Sequence, residues 1–225
     1  ETGPNSSFND DGVCISCQFS DTQIKESFIS RLELLKKMIR ETRSNKKNHP
    51  WYDCIVGVSG GKDSTRQAHW VKERLGLNPL LVCCGYPPVQ MTNIGAANLC
   101  NLISMGFDIE VFTPAAKSSA HLSLVSFKKF GNVCKSTEMA LFSAVPRIAI
   151  SKKIPLIFWG ENPALQVGDG STEGINPFDG NNLRFLNTLT EGGDKWIFDE
   201  IQTFKAQAYV YPNKNNFDDA KIDIM

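Results

Sequence analysis

Between Asp53 and Ser64 the chain runs Asp-Cys-Ile-Val-Gly-Val-Ser-Gly-Gly-Lys-Asp-Ser. The apolar run Cys54–Val58 predicts a short buried strand. It passes directly into Ser59-Gly60-Gly61-Lys62-Asp63-Ser64, and a helix is expected from Thr65 onward. Gly60 and Gly61 carry no Cβ, so the backbone at a strand-to-helix turn can come close to a bound group. The helix start behind them offers unpaired N–H groups and the positive end of a dipole, which together hold phosphate. Lys62 adds a point charge, Ser59 and Ser64 add hydroxyls, and Asp63 is placed to hold Mg²⁺ against a polyphosphate.

The spacing is not that of the Walker loop, which needs four residues between its first glycine and Gly-Lys. The loop instead resembles the pyrophosphate-binding loop, Ser-Gly-Gly-x-Asp-Ser, of the ATP pyrophosphatase (PP-loop) superfamily, at all six positions. That resemblance implies an adenine-nucleotide α-hydrolase-like fold and ATP split to AMP and pyrophosphate.

The 225 residues suffice for one sizeable α/β domain with a small appendage. With 24 basic and 24 acidic residues the formal charge is zero. Broad gripping of nucleic acid favours a basic surface, so the balance leans against such a partner. The seven cysteines are an odd number, and Cys54, Cys83 and Cys84 fall in apolar strand patterns. This is cysteine usage of a reducing cytoplasm rather than a disulfide framework. There is neither a signal-peptide pattern nor an apolar run long enough to span a membrane.

Three segments are expected. Residues 1–20 are polar and turn-rich and contain Cys14-Ile15-Ser16-Cys17, a C-x₂-C knuckle. Such a knuckle is half of a four-cysteine zinc site. The sequence contains no second C-x₂-C, so Cys14 and Cys17 are either half of a zinc ribbon completed upstream or two unrelated thiols in a loop. Residues 21–50 form an amphipathic helix and linker, opened by a capping box from Ser20 to Gln23. Ile24, Phe28, Leu32, Leu35 and Ile39 make its apolar stripe. Residues 51–225 hold the catalytic domain, and the alternation at Ile222–Met225 predicts a strand at which the domain is cut.

Within that domain the order is β-α-β-α-β-α-α-β, which implies a doubly wound parallel sheet. Gly76 caps the first helix, Pro79–Cys84 is the second strand, and Thr92 caps the next helix, with Leu99, Leu102 and Ile103 inward. His69 falls on a helix surface. Phe107–Phe112 is a strand, two helices cover 118–130 and 137–153, and Ile154–Trp159 is the fourth strand. In such sheets ligands sit beyond the carboxyl ends of the strands. Backbone at Val82, Cys83 and Cys84 is therefore an expected adenine neighbour, and Glu161 and Asn162, just past the fourth strand, are expected to face the same crevice. Residues 164–182 read as a loop or lid.

Several stretches together resemble the N-acetyl sugar amidotransferases of lipopolysaccharide, O-antigen and flagellin-glycan biosynthesis. These are Phe8–Cys17, Tyr52–Ser64, Leu75–Val82, Ile154–Pro163 and Tyr209-Val210-Tyr211-Pro212. The resemblance implies conversion of an N-acetyl group on a nucleotide-activated sugar to an acetamidino group. ATP adenylates the amide oxygen, and ammonia from a separate glutaminase displaces AMP. Lys62, Asp63, Glu161 and Asn162 would carry the chemistry, with ATP and Mg²⁺ as cofactors and Zn²⁺ at the knuckle. The family's additional Cys pairs near the start and near Cys134 are absent here. A homo-oligomer is compatible with this sequence. The competing readings are a tRNA-thiolating PP-loop enzyme, which shares Ser-Gly-Gly-Lys-Asp-Ser, and an inactive ATP-sensing module.

Overall fold

The computed structural model describes residues 8–14, 17–18, 21, 25–44, 51–85, 92–160, 194–213, 215–216 and 223–224. Helix α1 (Lys25–Ser44) precedes strand β1 (Cys54–Gly57), helix α2 (Lys62–Leu75), strand β2 (Pro79–Cys84) and helix α3 (Asn93–Ser104). Strand β3 (Asp108–Phe112), helices α4 (Ala116–Phe130) and α5 (Lys135–Lys152), and strand β4 (Leu156–Phe158) follow. Two short helices, α6 (Lys195–Glu200) and α7 (Thr203–Ala206), and strand β5 (Asp223–Ile224) complete the described elements.

The five strands form one sheet in the order β3-β2-β1-β4-β5, every neighbouring pair parallel. The chain winds outward from β1 through β2 to β3, then returns across the sheet to place β4 on the other side of β1. This reversal makes the β1–β4 boundary a topological switch point, where the crevice of an open α/β sheet lies. The expected doubly wound parallel α/β fold is therefore the one observed, including a terminal strand at residues 223–224.

Alternate side chains of the central strands serve opposite faces, as the two-residue period of a strand requires. Cys54, Val56, Leu81, Cys83, Leu156 and Phe158 pack with Ala68 and Val71 of α2, Leu102 of α3 and Ile39 of α1. Ile55, Leu80, Val82 and Ile157 pack with Val145, Ile148 and Ala149 of α5. Burial on both faces explains why β1, β2 and β4 are continuously apolar in sequence. A third cluster lies around Cys84 at the carboxyl end of β2. It joins Leu122 of α4, Met139 and Ala140 of α5, Trp196 and Ile197 of α6, and Tyr209.

The boundaries also account for the punctuation of the sequence. Gly76 ends α2 in the left-handed region at φ 63°, with its N–H donating to the Val71 carbonyl. The Thr92 hydroxyl oxygen accepts from the Gly95 N–H to cap α3. His69 is exposed on α2, as expected.

Two expectations are corrected. Helix α2 begins at Lys62 rather than Thr65, so Lys62 and Asp63 belong to its first turn instead of the loop before it. Ile103 is 58% exposed. Leu99 and Leu102 already fill the inward stripe of α3, and Ile103 falls outside its width. On α1 Ile39 is buried and Leu35 is packed against the same cluster, while Leu32 is exposed. The capping box at Ser20–Gln23 and the loop at 164–182 lie outside the described residues, as do Glu161 and Asn162. No helix among the described residues is long and apolar enough to cross a membrane.

Candidate phosphate-binding site

Strand β1 delivers the chain to the carboxyl edge of the sheet, where the Val58 N–H still donates to the Val82 carbonyl at 2.8 Å. The backbone then turns through Gly60 at φ 78°, a left-handed conformation that side-chain-bearing residues rarely adopt. Gly61, at the N-cap of α2, places no side-chain oxygen over the first turn. The amides of Lys62, Asp63 and Ser64 therefore have no intrahelical acceptor, and they supply the donors and dipole end that phosphate needs.

The loop is braced internally. The Ser59 N–H donates to Ser64 Oγ at 3.3 Å, and the Gly61 N–H donates to Ser59 Oγ at 3.3 Å. Ser64 Oγ donates to the Gly61 carbonyl at 3.2 Å, and Thr65 Oγ1 to the Gly60 carbonyl at 3.3 Å. Both serines were expected to serve as hydroxyl donors to a ligand. In this conformation the Ser64 proton is committed to the loop, while Ser59 retains its own. Lys62 and Asp63 are exposed beside this cradle. A cationic side chain and a carboxylate beside a donor-rich turn are groups that could hold a Mg²⁺-polyphosphate, with Asp63 able to offer an oxygen ligand.

Four residues of this region carried no assignment from sequence. Asn98 of α3 lies against Gly60, and a Cβ built on Gly60 would stand 2.8 Å from the Asn98 Cβ. Gln67, one turn after Ser64 on the same side of α2, donates through Nε2 to the Trp159 carbonyl at 2.6 Å. Among the described residues Gln67 Oε1 is buried without a hydrogen-bond partner, and so is Trp159 Nε1. Gly160 stands where a Cβ would lie 3.0 Å from Gln67 Oε1. Ser64 and Gln67 stand in an i to i+3 relation, and Trp159 and Gly160 fall in the stretch Ile154–Pro163, whereas no sequence signal pointed at Asn98.

Val82 and Cys83 lie at the carboxyl half of β2, at 1% and 7% exposure. The Val82 carbonyl is occupied by the Val58 N–H. Burial raises the Cys83 thiol above its ordinary range. Cys84 is pushed up to about 12, first by burial and then by the neighbouring Cys83. Cys54 is raised as well, chiefly by burial and further by Asp53. A reactive thiolate is the form these three sites disfavour.

Away from the sheet, Phe8 and Cys14 form an antiparallel bridge around a turn closed by the Gly12 N–H donating to the Asn9 carbonyl at 2.9 Å. Cys14 is buried and Cys17 exposed. Among the described residues no group of three or more His, Cys, Asp or Glu side chains is gathered for a metal. Cys14 and Cys17 are at most two of the four ligands that a structural zinc takes. Cys134 is exposed at the N-cap of α5.

No protein-family model matches the chain. An uncharacterized protein of Methanocaldococcus jannaschii is 38% identical over 71 residues, which are 31% of this chain and 24% of that protein. The match thus spans about a quarter of that relative's length. Among solved structures, NMN synthetase from Francisella tularensis is similar at TM-score 0.41 and 13% identity, over 83% of this chain and 79% of that one. A predicted subunit of tRNA methyltransferase from M. jannaschii has TM-score 0.35 and 18% identity, over 72% and 67% of the respective chains. The U34-tRNA thiolase from Methanococcus maripaludis has TM-score 0.36 and 18% identity, over 83% and 58%. Likeness at this level bears on neither substrate nor reaction.

Proposed function

We propose that the chain is a cytoplasmic ATP-dependent enzyme of the PP-loop superfamily that forms AMP and pyrophosphate. The observation that carries this reading is the Ser59–Ser64 turn, which opens α2 at the carboxyl end of β1 with Gly60 at φ 78°. All six residues of Ser-Gly-Gly-x-Asp-Ser are present there. In this reading the amides of the first turn and Lys62 take the departing pyrophosphate. Asp63 would hold a Mg²⁺, which when bound would supply charge neutralisation for the leaving pyrophosphate. The adenine lies beside the backbone of Val82 and Cys83. Glu161 and Asn162, which follow Gly160 in sequence, are assigned to the acceptor side of the same crevice.

The reaction we assign is amidotransfer to an N-acetyl group of a nucleotide-activated sugar. It is supported by the stretches Tyr52–Ser64, Leu75–Val82, Ile154–Pro163 and Tyr209–Pro212, and by the zero net charge. The amide oxygen attacks the α-phosphorus of ATP and pyrophosphate leaves. Ammonia then adds to the imidate carbon, AMP departs with the former amide oxygen, and loss of a proton leaves the acetamidino group. No side-chain nucleophile is needed, which agrees with the buried, raised thiols at Cys54, Cys83 and Cys84. Positioning and charge neutralisation would supply the rate. A separate glutaminase supplies the ammonia, and a zinc at Cys14 and Cys17 would require two further ligands.

The deciding assay measures AMP from ATP and Mg²⁺ with UDP-N-acetyl sugars and an ammonium salt, beside a parallel reaction with tRNA. AMP formed with the sugar and ammonium supports the assignment. AMP formed with tRNA alone replaces it with tRNA modification.

A further inference from the structure

We infer that Gln67 is a positioning residue that ties the carboxyl end of β4 to the helix carrying the phosphate loop, across the switch point. The β1–β4 ladder pairs Ile55 with Ile157 and Val56 with Phe158. On its other edge β1 stays paired with β2 one residue further, the Val58 N–H donating to the Val82 carbonyl. Phe158 is the last β4 residue paired with β1, and the carbonyl of the next residue, Trp159, lies beyond that ladder, open to a donor from outside the sheet. Gln67 fills that position from α2, donating through Nε2 at 2.6 Å across 92 residues of sequence.

The fit around the carboxamide is close and one-sided. Gln67 Oε1 is buried and makes no hydrogen bond among the described residues, and it stands 3.0 Å from where a Cβ on Gly160 would lie. An apolar side chain of the same length would fill this space without stranding an acceptor, so packing alone gives no reason for an amide here. The donor end explains it: Nε2 donates to the Trp159 carbonyl, which an apolar side chain cannot do. Gly160 lets the carboxamide come that near. Pyrophosphate binding at the first turn of α2 is thereby mechanically connected to the end of β4. This rests on the phosphate-site reading above for its role in catalysis, whereas the contact itself is independent of any substrate.

The test uses the full chain with Gln67→Met, which keeps the length and removes the donor, and Gln67→Glu, which is a donor only when protonated. Hydrogen exchange of peptides covering residues 155–160 is compared with that of β1 at 54–57, with and without Mg²⁺-ATP. Without nucleotide, 155–160 is expected to exchange about tenfold faster in Gln67→Met than in wild type, the loss of one hydrogen bond, with 54–57 unchanged. With nucleotide, wild type gains protection at both the loop and 155–160, whereas Gln67→Met gains it at the loop alone. In Gln67→Glu the excess exchange over wild type at the same pH shrinks as the pH is lowered through the carboxyl's titration. Equal exchange at 155–160 in wild type and Gln67→Met overturns the inference, as does nucleotide protection of 155–160 that survives the Met substitution. Should wild type bind no ATP, the phosphate-site reading fails on its own, and the nucleotide-free comparison still decides Gln67.

Discussion

Asn98 closes over the backbone of Gly60, so that a Cβ on Gly60 would come within 2.8 Å of the Asn98 Cβ and 3.1 Å of its carbonyl carbon. The phosphate loop is thus shaped from two directions: its own turn demands a positive φ, and α3 leaves no room for a side chain. Neither constraint alone would make the position as exclusive.

Gly60→Ala should disable the loop. The left-handed conformation costs a non-glycine residue about 1–2 kcal/mol, and the clash falls on Cβ and backbone, which cannot rotate away. Calorimetric titration with Mg²⁺-ATP should show at least about a tenfold loss of affinity, which is about 1.4 kcal/mol. Affinity equal to that of wild type would show that the loop does not hold the nucleotide in this conformation.

Lys62→Ala and Asp63→Ala act differently, because both side chains are exposed in the first turn of α2. Neither should shift the melting temperature appreciably, since surface substitutions of this kind stay within about 0.5 kcal/mol. Each should lower AMP formation by about 10²-fold or more, the effect of removing a charge-stabilising group at a phosphoryl centre. Turnover that persists in both variants would remove the first turn of α2 from the mechanism.

Thiol reactivity should divide the cysteines by burial. At pH 8, iodoacetamide should label Cys17, Cys100 and Cys134, which are exposed, and spare Cys54, Cys83 and Cys84 in the folded protein. Peptide mass spectrometry reads this directly. Rapid labelling of Cys84 would contradict its placement against Leu122 and Met139.

The same raised thiols set an alkaline limit on stability. Cys84 ionises at its ordinary value of 9.0 when unfolded and at about 12 when folded. The folded state therefore binds the proton more tightly, and stability is full below about 9. It declines as pH rises from there towards about 12, because the unfolded chain releases a proton that the folded one retains. Cys54 and Cys83 shift in the same direction. Melting temperatures recorded from pH 8 to 11 should fall, and Cys84→Ala should flatten that fall; an unchanged slope in the variant would rule Cys84 out as a source.

Tyr209 links the residues after α7 to α4 through a 2.9 Å hydrogen bond between its hydroxyl and Ser119 Oγ, at 1% exposure. Tyr209→Phe should cost about 1 kcal/mol and Tyr209→Ala about 3–5 kcal/mol, measured by urea denaturation. Equal costs for the two would place the contribution in the hydroxyl rather than in the packed ring.

Strand and helix identities were readable because each rests on neighbours in sequence. Cys54–Val58, Pro79–Cys84 and Ile154–Trp159 are apolar on both faces, as central parallel strands must be, and Gly76 and Thr92 mark helix ends through their own backbone and hydroxyl chemistry. The Ser59–Ser64 turn was readable for the same reason: six consecutive residues carry the turn, the charge and the helix start. Tertiary structure decided what no local pattern encodes. It paired β1 with β4 across a hundred residues and set Asn98 against Gly60. It also brought the Gln67 amide to the Trp159 carbonyl. Each of these is a contact between residues distant in the chain, where the partner's identity depends on the return path of the backbone and not on the residue's own propensity.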